Sequence, residues 1–265
     1  MKVVEYKPPF PWFGGKSAVA DRVWAAMGDV ENYVEPFFGS GAVLHLRPHA
    51  GERTETINDF DGYVANFWRS VQNEPDAVAR ACDWPCNEID LTSRHVRLVE
   101  RMGEVKGKML ADPEYCEPEL AGWWCWGQCW WIGTGWCSGR GAWSVKDGVF
   151  GKFGNGVNSN RPQLGNDGQG VNRRRPHLGD DGIGVNRKRQ HLGNDGQCAE
   201  YSAWVLEQIN RLSDRLRRVR VCCGDWARVV TPSASGWCPS QGNAVGIFLD
   251  PPYSRDANRD MGCYA

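Results

Sequence analysis

The chain has 265 residues, a net charge of −1, and 24% charged against 41% hydrophobic side chains. That length suits one large domain or a core with an insertion, and the charge balance excludes a uniformly basic nucleic-acid binder. No run approaches the roughly 18 apolar residues of a membrane span. The start Met1-Lys2-Val3-Val4-Glu5-Tyr6 has no apolar signal region, so the sequence predicts a cytoplasmic protein whose eleven cysteines are reduced thiols.

Asn32-Tyr33-Val34-Glu35 reads as a short strand. The glycine loop Pro36-Phe37-Phe38-Gly39-Ser40-Gly41 follows, and a helix opens over Ala42 to Leu46. Thr54 to Asp59 reads as a second strand ending in a carboxylate. Tyr63 to Val71 reads as a helix with Val64, Phe67, Trp68 and Val71 on one face.

This rhythm lapses over about 75–199. Residues 74–120 are rich in Asp and Glu, and seven tryptophans fall between Trp123 and Trp143, where they are expected to form core. Cys82-x3-Cys86 and Cys125-x3-Cys129 have loose metal-like spacing but lack a second ligand pair, so no metal is expected. Three tandem repeats of 14 residues span 156–197, starting at Gly156, Gly170 and Gly184. Their Asn-Asp-Gly and Asp-Asp-Gly segments are turn signals, and each unit reads as a short hairpin or a solvated loop. Arg173-Arg174-Arg175 and Arg187-Lys188-Arg189 recur at the repeat spacing, which suits contacts along a phosphate backbone.

From Glu200 the alternation returns. Tyr201 to Arg218 reads as an amphipathic helix with Trp204, Val205, Ile209, Leu212 and Leu216 facing the core. Arg218 to Cys223 reads as a strand, with Gly224-Asp225-Trp226 at its end. Ala244 to Leu249 reads as a buried strand that leads into Asp250-Pro251-Pro252-Tyr253.

Open α/β sheets place ligands at the carboxyl ends of their strands. The loop Phe37-x-Gly39-x-Gly41 lets backbone approach a ligand, and a helix N-terminus behind it favours an anion. Asp59 is placed to accept hydrogen bonds from ribose hydroxyls, and Asp225 to face an adenine amino group. Three successive strand-end carboxylates favour a nucleoside-bearing cofactor. The Asp250 carboxylate and the Pro251 carbonyl form a paired acceptor suited to an exocyclic amino group, and Tyr253 offers a flat surface to a planar base.

Pro9-Phe10-Pro11-Trp12-Phe13-Gly14-Gly15-Lys16, Tyr33-Val34-Glu35-Pro36-Phe37-Phe38-Gly39-Ser40-Gly41, Ile57-Asn58-Asp59 and Asp250-Pro251-Pro252-Tyr253, in that order, resemble the Dam-type (D12 class) DNA adenine N6-methyltransferases. The resemblance implies an α/β fold: a Rossmann-like, mainly parallel sheet that binds S-adenosyl-L-methionine, interrupted by a target-recognition region. It implies a discontinuous catalytic domain, 1–75 and 200–265, with the insertion at 76–199. By the family's pattern, Trp12, Lys16, Asp59 and Asp250 contact the cofactor, while Glu35, Phe37, Gly39 and Gly41 shape its pocket. Asp225 joins this set. Asp250, Pro251, Pro252 and Tyr253 would be catalytic, acting on the N6 amino group of an adenine flipped out of double-stranded DNA.

N4 of cytosine could be gripped in the same way and stays open. A cytosine-C5 enzyme would need its Pro-Cys at a strand end, and Pro85-Cys86 falls in the insertion. Family members continue well beyond the last motif, whereas this chain ends twelve residues after Tyr253. The expectation is therefore a sheet short of its C-terminal strands, completed by a second polypeptide, or left as an inactive DNA-binding remnant or a fragment of such an enzyme.

Overall fold

Four short segments form one all-parallel sheet in the order β5-β2-β1-β6: β1 (Asn32–Glu35), β2 (Thr54–Asp59), β5 (Val219–Cys223) and β6 (Val245–Ile247). Parallel strands need crossovers, and helices supply them. In chain order these are α1 (Ala20–Met27), α2 (Ala42–His45), α3 (Gly62–Asn73), α4 (Pro75–Cys82), α5 (Glu88–Ala111), α6 (Pro118–Trp130), α7 (Gln197–Leu216) and α8 (Pro232–Ser235). An antiparallel pair, β3 (Trp143–Lys146) and β4 (Val149–Lys152), stands apart. This is a computed structural model and describes residues 8–12, 14–48, 53–112, 114–131, 136–137, 143–146, 149–152, 197–238, 240 and 242–251. The repeats at 156–196, both basic triplets, Phe13, Pro252 and Tyr253 lie outside the described residues. No helix among those described is long and apolar enough to cross a membrane.

The register sets the strand ends side by side. Glu35 pairs with Ile57, Asp59 with Cys223, and Val34 with Ile247. β2 is buried through its middle and carries polar side chains there, so each must find partners. Glu55 meets Arg47 at 3.0 Å and Arg215 at 2.6 Å, which ties β2 to the end of α2 and to α7. Asn58 donates to the carbonyls of Pro36 and Gly224, both at 3.0 Å, so one amide holds the loops that follow β1 and β5.

Both long helices that the sequence places beside the sheet form as expected. Val64, Phe67, Trp68 and Val71 of α3 are buried, as are Val205, Ile209, Leu212 and Leu216 of α7. Asp61 caps α3 by accepting from the amides of Tyr63 and Val64. The tryptophan-rich stretch is core where it is described, with Trp124, Trp126 and Trp136 buried. Val78 of α4, Leu98 of α5 and Trp124 of α6 share one hydrophobic cluster with Phe10, Phe67 and Leu212, so the core runs without a break past residue 75. Three of the four cysteines with metal-like spacing take part in packing: the Cys125 and Cys129 thiols donate to the Pro9 carbonyl, and that of Cys82 to the Gly122 carbonyl, while Cys86 is exposed.

One expectation fails. β6 is a half-exposed strand at one side of the sheet, not a buried one: Ile247 is 37% and Leu249 53% exposed. An apolar run reads the same whether one or both of its faces are covered. Here α1 covers one face through Met27, whose sulfur lies where a side chain on Gly246 would project.

Candidate active site at the strand ends

The loop after β1 is shaped by two glycines. Gly39 (φ +50°) and Gly41 (φ +77°) occupy the left-handed region, where other residues are strained. At Gly39 the missing side chain is also a steric need, because a Cβ there would sit 2.2 Å from Nε1 of Trp12. The Trp12 indole therefore lies directly on the loop, backed by Phe10 and Trp124 at centroid distances of 5.8 and 6.3 Å. Trp68 Nε1–H donates to the Gly39 carbonyl at 2.8 Å. The Gly39 amide donates to Asp59 Oδ2 at 2.9 Å, so the glycine loop and the end of β2 are locked together.

Four acidic residues mark the four strand ends. Glu35 is buried, accepts the Tyr33 hydroxyl at 2.9 Å, and has its pKa raised to about 8 by burial. Asp59 is raised to about 7, chiefly by burial and next by the charge of Asp61. Asp250 is close enough to add to the raising of Glu35. Lys16 Nζ reaches Asp250 Oδ2 at 2.5 Å and donates to the Gly14 carbonyl at 2.7 Å, which brings the N-terminal segment onto the end of β6. Asp225 is exposed and caps a short turn at Trp226–Arg228 by accepting from the Ala227 amide.

The structure thus brings Trp12, Lys16, Glu35, Gly39, Asp59 and Asp250 together, with Gly41 at the start of α2 and Asp225 on the neighbouring strand end. Phe37 lies 6.1 Å from the half-exposed Trp226. Pro251 is described and exposed.

Two residues escaped the sequence reading. Phe60 is 68% exposed immediately after Asp59, with the Lys106 ammonium 3.8 Å over its ring. Trp226 follows Asp225 in the same way. The acid-aromatic dipeptide at each strand end is the signal the sequence offers for both rings. Asn58 reads in the sequence only as part of a motif, although its amide fastens two of the loops.

Residues 12–88 match the model of a family described as D12 class N6 adenine-specific DNA methyltransferase. A curated relative, the DNA N-6-adenine-methyltransferase of Escherichia phage P1, is 32% identical over 69 residues. That alignment covers 26% of this chain and 9% of the relative, so the chain spans only a small part of the length of the protein it matches. The family match contains Trp12, Lys16, Glu35, Phe37, Gly39, Gly41 and Asp59, while Asp225 and Asp250 join them through the parallel sheet. Over residues 12–88 this chain is thus similar to the D12 class N6 adenine-specific DNA methyltransferases.

Proposed function

We propose that the strand ends bind S-adenosyl-L-methionine and direct methyl transfer to the N6 amino group of adenine in double-stranded DNA. The observation that carries this reading is the convergence of Glu35, Asp59 and Asp250 around a glycine loop and Trp12. Glu35 is buried beside the charges of Asp250 and Asp59, and such a cluster gains from a cation placed against it. The donor set therefore fits a ligand that carries a sulfonium, an ammonium and ribose hydroxyls. When bound, that cofactor supplies an electrophilic methyl group. Asp59 holds the ribose, Trp12 and the glycine loop take the methionine end, and Phe37, Phe60 and Trp226 flank the adenine ring, with Asp225 beside it.

Adenine N6 is a weak nucleophile because its lone pair is delocalised into the ring. Two acceptors on its N–H bonds localise that lone pair, and the chain offers the Asp250 carboxylate and the Pro251 carbonyl. Oδ2 of Asp250 already faces Lys16, so Oδ1 is assigned to the base. The proton released on transfer leaves through that carboxylate. Pro252 and Tyr253 complete the grip, with Tyr253 stacking on the flipped base. Catalysis of this kind rests on positioning and preorganised charge.

Residues 76–199 are assigned to target recognition, with Arg173, Arg174, Arg175, Arg187, Lys188 and Arg189 on DNA phosphates. The setting is the cytoplasm. Calorimetry of cofactor binding followed by methyl transfer to plasmid DNA tests the reading. Wild-type chain should bind and transfer, and Asp250→Ala should abolish transfer with the fold retained. Activity retained in that variant removes Asp250 from the chemistry, and a chain that takes up no cofactor removes the reading altogether.

A further inference from the structure

A second constellation lies away from the strand ends, in a groove of about 600 Å³ between α4, α5 and α6. At its base the Arg94 guanidinium lies over three indoles, 4.5 Å from the Trp126 ring, 4.8 Å from Trp84 and 5.2 Å from Trp123. Arg94 is only 7% exposed, and its Nη1 has no hydrogen-bond partner among the described residues. Aromatic faces stabilise a cation from above and below but leave its in-plane N–H donors unsatisfied. A buried donor without an acceptor is costly, so such a guanidinium is set up for a planar approach by an anion.

The rest of the lining is balanced in charge, with Arg80 and Arg97 against Asp90 and Glu119. Both arginines are exposed. Of the two acids, Asp90 is engaged in fixing the wall, since its Oδ2 accepts from Trp84 Nε1 at 2.6 Å and from Asn87 Nδ2 at 2.5 Å. Asp90 is also the main counter-charge to Arg94, with Glu119 after it. A carboxylate ligand would be used up by one guanidinium fork. A phosphate has oxygens for the Arg94 fork and for a rim arginine together.

We propose that this groove is a seat for a phosphate group, gripped by Arg94 with Arg80 and Arg97 at its rim. The seat stands on its own chemistry. Only the assignment of the phosphate to a DNA backbone rests on the proposed function.

Two titrations of the full chain test it: inorganic phosphate followed by calorimetry, and a labelled 20-bp duplex followed by anisotropy across a salt series. Arg94→Met keeps the stem against the indoles and removes the fork, and Arg80→Gln with Arg97→Gln spares the core. For a DNA backbone contact, Arg94→Met should weaken duplex binding several-fold. It should also lower the slope of log K against log salt by about 0.9, the share of one phosphate. Phosphate binding that Arg94→Met abolishes, in a chain that does not bind duplex, supports the seat with free phosphate as its occupant and counts against the DNA reading alone. A wild-type slope together with unchanged phosphate binding in Arg94→Met overturns the seat. Should that variant fail to fold, the same unchanged results in the doubly substituted rim variant overturn it.

Discussion

Gly39 carries two constraints at one position, a left-handed φ and an indole where its Cβ would be. Gly39→Ala therefore costs about 1–2 kcal/mol for the backbone alone, and Trp12 must also swing off the loop. The expected outcome is a lowered melting temperature and at least a tenfold loss of cofactor affinity by calorimetry. Gly28 is also left-handed but has open space around it, so Gly28→Ala should lower stability and leave affinity unchanged.

The titration of Glu35 and Asp59 belongs to the same scale. Their folded pKa values, about 8 and about 7, lie above those of the unfolded chain. The folded state therefore holds more protons in this window. The associated stability is complete below about pH 4 and is lost as pH rises through 7 to 8. Melting temperature of the ligand-free chain should fall between pH 5 and 8.5, and Glu35→Gln should flatten part of that fall. A cationic cofactor favours the ionised carboxylates, so binding near pH 7 should release protons. Calorimetry in buffers of different ionisation enthalpy measures that release, and proton uptake would contradict the assigned charge.

At the level of elements, β2 is held by charge as much as by apolar contact. Glu55 is buried between Arg47 and Arg215, which reach it from the end of α2 and from α7. Removing one member leaves the others charged and desolvated, so Glu55→Ala should cost about 3–5 kcal/mol in urea unfolding. Glu55→Gln, which keeps the shape and one acceptor, should recover part of that loss. A loss below 1 kcal/mol in the alanine variant would mean that water reaches the two guanidiniums.

Much of this layer was legible in the sequence. β1 and β2 end where the glycine loop and the Asn58-Asp59 pair indicate, because a strand-loop-helix change alters composition sharply. The faces of α3 and α7 follow from their spacing. The exposure of β6 was not legible, since burial of an apolar run depends on what lies beside it. The Lys16–Asp250 ion pair was equally hidden, because it joins residues more than 230 positions apart and needs the sheet to exist first. Phe60 and Trp226 have no periodic context at all, so nothing but their places after Asp59 and Asp225 marked them.

Across the whole molecule, one hydrophobic core includes residues on both sides of position 75, where the expected insertion begins. Trp124 of α6 packs edge-on to Phe10 at 4.7 Å and lies 6.0 Å from Phe67 of α3. Trp136 donates to the Trp124 carbonyl at 3.0 Å, and the space beside Gly127 is filled by the Trp136 ring. Gly122 lets α6 approach α4 so closely that a Cβ there would lie 2.3 Å from that of Ala81. The helices of residues 75–130 thus support the segment that carries Trp12 and Lys16. Trp124→Ala should cost about 3–5 kcal/mol, the range for emptying a buried aromatic site. Because Trp12 leans on the same ring, that variant should lose cofactor affinity without any change at a strand end. Urea unfolding followed by far-UV circular dichroism and by protection of Trp12 from oxidation should give coincident transitions. If Trp12 lost protection well before the backbone signal changed, the N-terminal segment would be a separately melting unit, and its hold on Asp250 would have to come from Lys16 alone.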